Sequence, residues 1–336
     1  MRELSIILVN WNCLAYTEQC IASIRDTAGD VDYEVIVVDN DSADAPCQAL
    51  IDNFPWIKLV LSKENIGFGR ANNLGARQSV GRNLLFLNPD TVVLGNALRP
   101  MLSALQSAPQ GGAIGCRLLN PDWSLQTTCV QPFPTIANQL LALSWLQRQW
   151  PAHPLWGKQA LYSTSSNTVH EVDVVSGAAI LVKREVFEDV GGFNPEYFMY
   201  AEEVELCCTI RRAGHRILHT SDARIIHFGG QSTKSCEDGF VAVTMRDSVY
   251  RFLRRNRGNS YAALYRFALL ISALCRLTIL CGLFPLAASL GYPIARNDVT
   301  RPLRKWLKIA QWTVGWDTCM QRLATPPDAS ATPAEN

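Results

Sequence analysis

Glu202, Glu203 and Glu205, close together in "AEEVELCCTIRRAG", are the residues of this chain best placed for acid–base chemistry. The surrounding segment, Tyr197 to Gly214, predicts one helix. Its acids complement the dipole of the first turn, Arg211 and Arg212 suit the last turn, and Gly214 suits a left-handed cap. On a 3.6-residue wheel Glu205 shares a stripe with Thr209 and Arg212, whereas Glu203 shares one with Leu206, Cys207 and Ile210. Glu203 is therefore expected to point inward. A carboxylate on a buried face needs a partner or a task.

Other candidates stand at the ends of apolar runs. "NLLFLNPD" delivers Asn88, Pro89 and Asp90, and a carboxylate thrown from a strand end can hold a hard divalent cation that bridges phosphates, or it can cap the strand as an Asx turn. "ARIIHFGG" places His227 similarly, as a ligand or as a hydrogen-bonded structural histidine. The G-x-G of "GFGRANNLG" follows the third predicted strand and has Asn73 where a third glycine is needed, so it fits a tight turn beside a ligand better than a dinucleotide fingerprint. The eleven cysteines show no C-x-x-C spacing, which argues against zinc and disulfide frameworks and for reduced, cytosolic core thiols.

These residues need a scaffold, and the chain supplies a βαβ rhythm. "LSIILV", "EVIVVD", "IKLVLS" and "NLLFLN" alternate with helices near Leu14 to Arg25, near Ala43 to Phe54, and from about Phe68. Runs apolar throughout are strands covered on both faces, hence a parallel sheet whose ligands bind at the strands' carboxyl ends. Those ends are polar here: Asn10, Trp11 and Asn12, then Asp39 and Asn40, then Lys63 to Asn65, then Asn88 to Asp90. They describe a cleft. The Pro-, Gln- and Trp-rich tract from about Leu119 to His170 reads as an insertion over it. With 336 residues, 48% apolar, and 31 basic against 30 acidic side chains, the chain is globular and carries no global signal for nucleic acid. The N-terminal run meets Asn10 too early for a secretory segment, so the chain is expected to begin with a strand and not to be exported.

With Asp39, Asn88-Pro89-Asp90, "VVSGAAILVKREVFEDVGGFNPEYFMYAEEVELC" and His227 in this order, the sequence resembles family two glycosyltransferases of the GT-A fold, most of all their bacterial rhamnosyltransferase-like branch. The resemblance covers about residues 5 to 233 and implies an α/β fold of GT-A type: a mostly parallel central sheet flanked by helices, over residues 1–237. It also implies inverting transfer of a sugar from a nucleotide diphosphate donor, dTDP-rhamnose above others, to a lipid-linked or oligosaccharide acceptor, with Mg2+ or Mn2+. By the same resemblance Asp39 contacts the donor's base, Asp90 and His227 hold the metal, and Glu203 is the base, with Glu202 and Glu205 as the outer acids of an E-D-x-D motif. Asn88 stands where that family has the first acid of D-x-D, and Glu203 and Glu205 stand where it usually has Asp. Asn10, Asn12, Asn65, Gly67, Asn72 and Asn88 join Asp39 and Asp90 on the donor side; Glu202 and Gly177 lie on the acceptor side. The competing reading is a non-catalytic nucleotide-sugar-binding protein.

Residues 238–320 form a C-terminal helical segment. "MRDSVYRFLRRNRGN", the apolar "FALLISALCRLTILCGLFPLAASLGYPIA" and the basic "RPLRKWLK" predict helices that associate with an anionic membrane surface, or else pack on the catalytic domain as core. Arg276 interrupts the apolar run and Gly282 with Pro285 is expected to break the helix, which favours lying along the cytoplasmic face of the inner membrane, peripheral or monotopic, over crossing it. Residues 321–336 read as a disordered tail.

Overall fold

Leu4–Asn10 (β1) is buried at every position, as a strand covered on both faces must be. The computed structural model describes residues 1–44, 47–141, 144–163, 168–231, 238–289 and 296–316, in two compact units, Met1–Ser235 and Cys236–Asn336.

In the first unit β1 is followed by α1 (Leu14–Thr27), β2 (Tyr33–Asp39), α2 (Gln48–Asn53), β3 (Lys58–Leu61), α3 (Phe68–Arg77) and β4 (Asn83–Leu87). Next come β5 (Thr91–Leu94), α4 (Leu98–Gln106), β6 (Gly111–Leu119), β7 (Val130–Gln131), α5 (Ile136–Leu140) and α6 (Ser144–Gln149). The unit closes with β8 (Val169–Glu171), β9 (Val174–Val175), β10 (Ala179–Lys183), α7 (Arg184–Asp189), α8 (Glu202–Arg212) and β11 (Arg216–His227). The main sheet runs β3-β2-β1-β4-β10-β6-β11-β5, with β8 beside β11. Its first four strands are parallel, while β10 enters antiparallel between β4 and β6. The core lies where α7 and the segment after it meet β4: Phe86 packs at 4.9 Å on both Phe187 and Phe193, and each such buried side chain stabilises by about 1.5–3 kcal/mol.

Register sets the cleft. Parallel pairing of Asn10 with Asp39 and of Asp39 with Leu61 brings the carboxyl ends of β1, β2 and β3 to one edge. Antiparallel pairing of β11 with β5 sets His227 opposite Thr91, one residue after Asp90.

Two expected boundaries are corrected, those of α2 and α8. Strand β11 runs through "RILHT" into "ARIIH" and absorbs the residues between them in a register shift between Thr220 and Arg224. Helix α2 starts only at Gln48, with Cys47 as its N-cap. Helix α8 starts at Glu202, since Tyr200 and Ala201 are left-handed.

The second unit comprises α9 (Asp238–Arg257), α10 (Asn259–Ser289) and α11 (Arg296–Thr313). The break expected at Gly282 and Pro285 is absent, and α10 runs on to Ser289. Proline deletes one N–H donor, and the helical turns on both sides of it keep their own bonds. Arg276 does not face outward with the apolar stripe: its guanidinium lies 4.5 Å from the Trp306 ring centre, and Arg246 covers the same ring at 5.4 Å. The Trp312 indole N–H donates to Asp247 at 3.2 Å, joining α11 to α9.

Candidate active site

Two left-handed, non-glycine residues, Tyr200 at φ 69° and Ala201 at φ 61°, turn the chain sharply into α8. Such conformations cost about 1–3 kcal/mol each and persist only where neighbours enforce them. The enforcement is local. Gly67, at φ 83°, lets the chain pass so close to Phe198 that a Cβ would lie 2.4 Å from its carbonyl oxygen, and the Phe68 N–H donates to that oxygen at 2.9 Å. The first turn of α8 then meets two more glycines. A Cβ on Gly69 would touch the Glu202 Cβ at 3.6 Å, and one on Gly177 would touch the Glu203 Cβ at 3.4 Å.

The result is a cavity of about 260 Å³ whose lining includes Asn65, Asn88, Asp90, Glu202, Glu203 and His227. Glu202 is 5% exposed, and its Oε2 has no hydrogen-bond partner. Burial, and after it the neighbouring Glu203, holds its carboxyl well above the usual range. Glu203 is half-buried and also raised by burial, but the backbone N–H groups of Glu203 and Val204 at the helix start favour its ionised form. Glu205 corrects the wheel: it is 2% exposed and accepts from the Tyr197 hydroxyl at 3.5 Å, because α8 is covered on several sides.

Asp90 and His227 line the same cavity and meet there, with Oδ1 and Nε2 3.3 Å apart. Gln126 decides the imidazole tautomer. Its amide nitrogen donates to the Asn120 side chain at 3.1 Å and to the His227 carbonyl at 3.3 Å, so its oxygen accepts from the Nδ1–H at 2.8 Å. The Nε2 lone pair therefore faces a carboxylate oxygen and receives the Asn88 amide at 3.2 Å. Two facing lone pairs from an imidazole and a carboxylate are the donors a divalent cation takes, so these residues fit such an ion. Among the described residues no group of three His, Cys, Asp or Glu side chains is arranged to hold a metal. Gln126, 101 residues from His227, has no signal in the sequence.

Elsewhere along the sheet edge the strand-end residues bind one another. The Asn10 amide donates to Asp39 at 3.1 Å and to Ser42 at 2.9 Å, and the Cys47 thiol donates to the same Asp39 oxygen at 3.1 Å. Burial, then Asp39, pushes that thiol up to about 12. Asn12 accepts from the Ala43 N–H at 2.7 Å. Asn40 donates to Asn65 at 2.9 Å, and the Asn65 oxygen also takes the Gly67 N–H at 3.0 Å. Asn40, Asn65 and Gly67 line the cavity together with Trp11 and Phe68; Asn10, Asn12, Asp39 and Asn72 do not. Asn72 is 1% exposed and donates to the Phe68 carbonyl within its own helix.

The match to known proteins agrees with this geometry. Residues 5–191, more than half of the chain, match the family described as Glycosyl transferase family 2. The N-acetylglucosaminyl-diphospho-decaprenol L-rhamnosyltransferase of Mycobacterium tuberculosis is 27% identical over 319 residues, covering 92% of this chain and 98% of the relative. Rhamnosyltransferase WbbL of Escherichia coli is 26% identical over 264 residues, 75% of this chain and 93% of the relative. Among solved structures, mannosyltransferase PcManGT from Pyrobaculum calidifontis, in complex with GDP-Man and Mn2+, superposes with a TM-score of 0.54 at 18% identity, covering 93% of this chain and 85% of that one. At that identity the likeness shows the fold, which is GT-A. The family match covers more than half of the chain and the fold agrees with it: this chain belongs to glycosyltransferase family 2.

Proposed function

We propose that this chain is an inverting glycosyltransferase that moves rhamnose from dTDP-rhamnose to a lipid-linked glycan acceptor in cell-surface polysaccharide synthesis. The observation that carries the reaction class is the meeting of Glu203 with the Asp90–His227 pair on one cavity. The choice of sugar and acceptor is supported by the names of the mycobacterial and Escherichia coli relatives.

Direct displacement at an anomeric carbon needs one base for the attacking hydroxyl and charge neutralisation for the departing diphosphate. Glu203, favoured as a carboxylate by two backbone N–H groups, accepts the acceptor's proton on the side of Gly177. Asp90 and His227 would hold a divalent cation, Mg2+ or Mn2+, which supplies positive charge to the diphosphate. Asn88 orients the His227 ring, while Asn65, Gly67 and Trp11 offer the donor a wall fixed by hydrogen bonds. Asp39, held by Asn10 and Cys47, is assigned to the donor's base.

Residues 1–237 are the catalytic domain in this reading, and residues 238–320 hold it at the cytoplasmic face of the inner membrane. Within α10, Asn259–Gly282 is long and apolar enough to cross a bilayer, with mean hydropathy 1.7. Leu264, Phe267, Ile271 and Leu274 form an exposed stripe at helical spacing. The stripe and the inward-turned Arg276 suit a monotopic helix in the interface. The disordered tail assigned to residues 321–336 lies outside the described residues.

Incubating the purified protein with dTDP-rhamnose, UDP-sugars and GDP-sugars, each with divalent cation and a polyprenyl-diphosphate-linked sugar, tests the proposal. Transfer from dTDP-rhamnose is expected. Binding of a nucleotide sugar without transfer or donor hydrolysis would make the chain a binding protein, and failure to bind any nucleotide diphosphate would overturn the reading.

A further inference from the structure

The mechanism above uses one of the two carboxyls that α8 presents to the cavity. Glu202 remains, and its circumstances are unusual for a charged group. It is 5% exposed, with Oε2 left without a hydrogen-bond partner, yet it lines the cavity. An unpartnered buried oxygen on a residue that lines the cavity marks a carboxyl whose hydrogen-bonding capacity the protein leaves unused. The charged and titratable groups that line the cavity with it are Glu203 on its own turn, Tyr200 just before the helix, Asp90 and His227; among the described residues lining that cavity there is no Lys or Arg. An ionised Glu202 would be a buried anion beside other carboxylates with no cationic side chain to pair with, which is strongly unfavourable. Backbone N–H groups at the helix start favour the ionised form of both, that of Glu202 for Glu202 and those of Glu203 and Val204 for Glu203.

We propose that Glu202 works as a neutral carboxylic acid that donates a hydrogen bond to an oxygen of the acceptor sugar, while Glu203 alone serves as carboxylate and base. The two acids then divide the acceptor between them. Glu202 is backed by Gly69 of α3 and grips a ring or hydroxyl oxygen that keeps its lone pairs; Glu203 is backed by Gly177 and accepts from the hydroxyl that attacks. Burial and the neighbouring Glu203, which raise the Glu202 carboxyl, act in the same direction. An acceptor subsite built on a donor of this kind selects a sugar with an oxygen beside its nucleophilic hydroxyl. It discriminates against a deoxy analogue at that position, because the buried acid would then stay unpaired.

The inference deepens the glycosyltransferase reading and rests on it for the identity of the ligand, but the protonation state can be measured on the resting protein. Infrared difference spectra at pH 7 of the full chain, its Glu202→Gln form and its Glu203→Gln form should show the carbonyl stretch of a neutral carboxylic acid. That band should vanish in Glu202→Gln and persist in Glu203→Gln. Its absence from the unmodified protein, or its loss in Glu203→Gln alone, overturns the inference whatever the activity. If the band behaves as expected and no sugar transfer occurs, the function proposed above fails and the assignment of the proton stands. In turnover, Glu202→Gln, which keeps a donor N–H, should stay within about threefold of the parent, and Glu202→Ala should raise the acceptor KM about tenfold or more with donor affinity unchanged, since losing a hydrogen bond to a buried group costs that order. A Glu202→Gln enzyme as impaired as Glu203→Gln would show that Glu202 is needed as an anion. An unaltered Glu202→Ala enzyme would show that it touches no acceptor.

Discussion

The two walls of the cavity are built on opposite principles. On the donor wall, strand-end side chains satisfy one another before any ligand arrives: behind the lining Asn10, Ser42 and Cys47 converge on Asp39, and at the cavity Asn40, Asn65 and the Gly67 N–H form a second closed set. On the α8 wall, left-handed Tyr200 and Ala201 deliver acids into the cavity, and one buried oxygen stays unpartnered. The first wall is rigid and prepaired, which suits recognition of a fixed nucleotide. The second holds backbone strain and unspent hydrogen-bonding capacity, which suits a group that acts when a substrate completes it.

The largest break in this comparison should come from Glu203→Gln. Removing the base while leaving the donor wall intact is expected to lower kcat by about 10²–10⁴-fold with nucleotide affinity unchanged. Asp90→Ala should do the reverse, weakening cation-dependent nucleotide binding by calorimetry. If both variants lose nucleotide binding equally, the two walls are not functionally distinct. A smaller effect is expected at Cys47. Cys47→Ala removes one donor from a closed set, which is worth about 0.5–1.5 kcal/mol, so the donor KM should rise roughly two- to tenfold at constant kcat. A kcat loss without a KM change would place Cys47 in the chemistry.

The smallest effect is on stability and concerns the strained wall. A carboxyl raised above its ordinary value of about 4.3 keeps its proton in the native state while the unfolded chain releases it, so stability falls as pH rises through that range. Burial raises Glu202 in this sense. Glu202→Gln removes the penalty. Its Tm should exceed the parent's at pH 7.5, by ~2–4 °C per kcal/mol in a chain of this size, and the two should converge below about pH 4. A lower Tm for the variant at pH 7.5 would show that the carboxylate is stabilising.

The donor wall was the more legible one. Uniformly apolar runs ending in Asn10, Asp39, Asn65 and Asn88 announce a parallel sheet and its ligand edge, because period and burial are local properties of sequence. The helical wheel put Glu203 on the buried face, yet that residue lines the cavity half-buried and is the least buried of the three acids. It misplaced Glu205, since one wheel assumes one buried face, and Val204, Glu205, Leu206, Cys207 and Ile210 are all buried. Gln126 could not be read at all: it reaches His227 from an irregular segment 101 residues away, and only the fold brings the two together. The two halves of the C-terminal apolar helix divide similarly. Its hydropathy was plain, whereas the turning of Arg276 onto Trp306 depends on a partner helix.

The central claim is that one carboxylate, Glu203, drives a single displacement at the sugar's anomeric carbon. NMR of the purified product, compared with the nucleotide sugar consumed, reads this directly. The account predicts that the new glycosidic bond has the anomeric configuration opposite to the donor's; a product that retains the donor's configuration would contradict it.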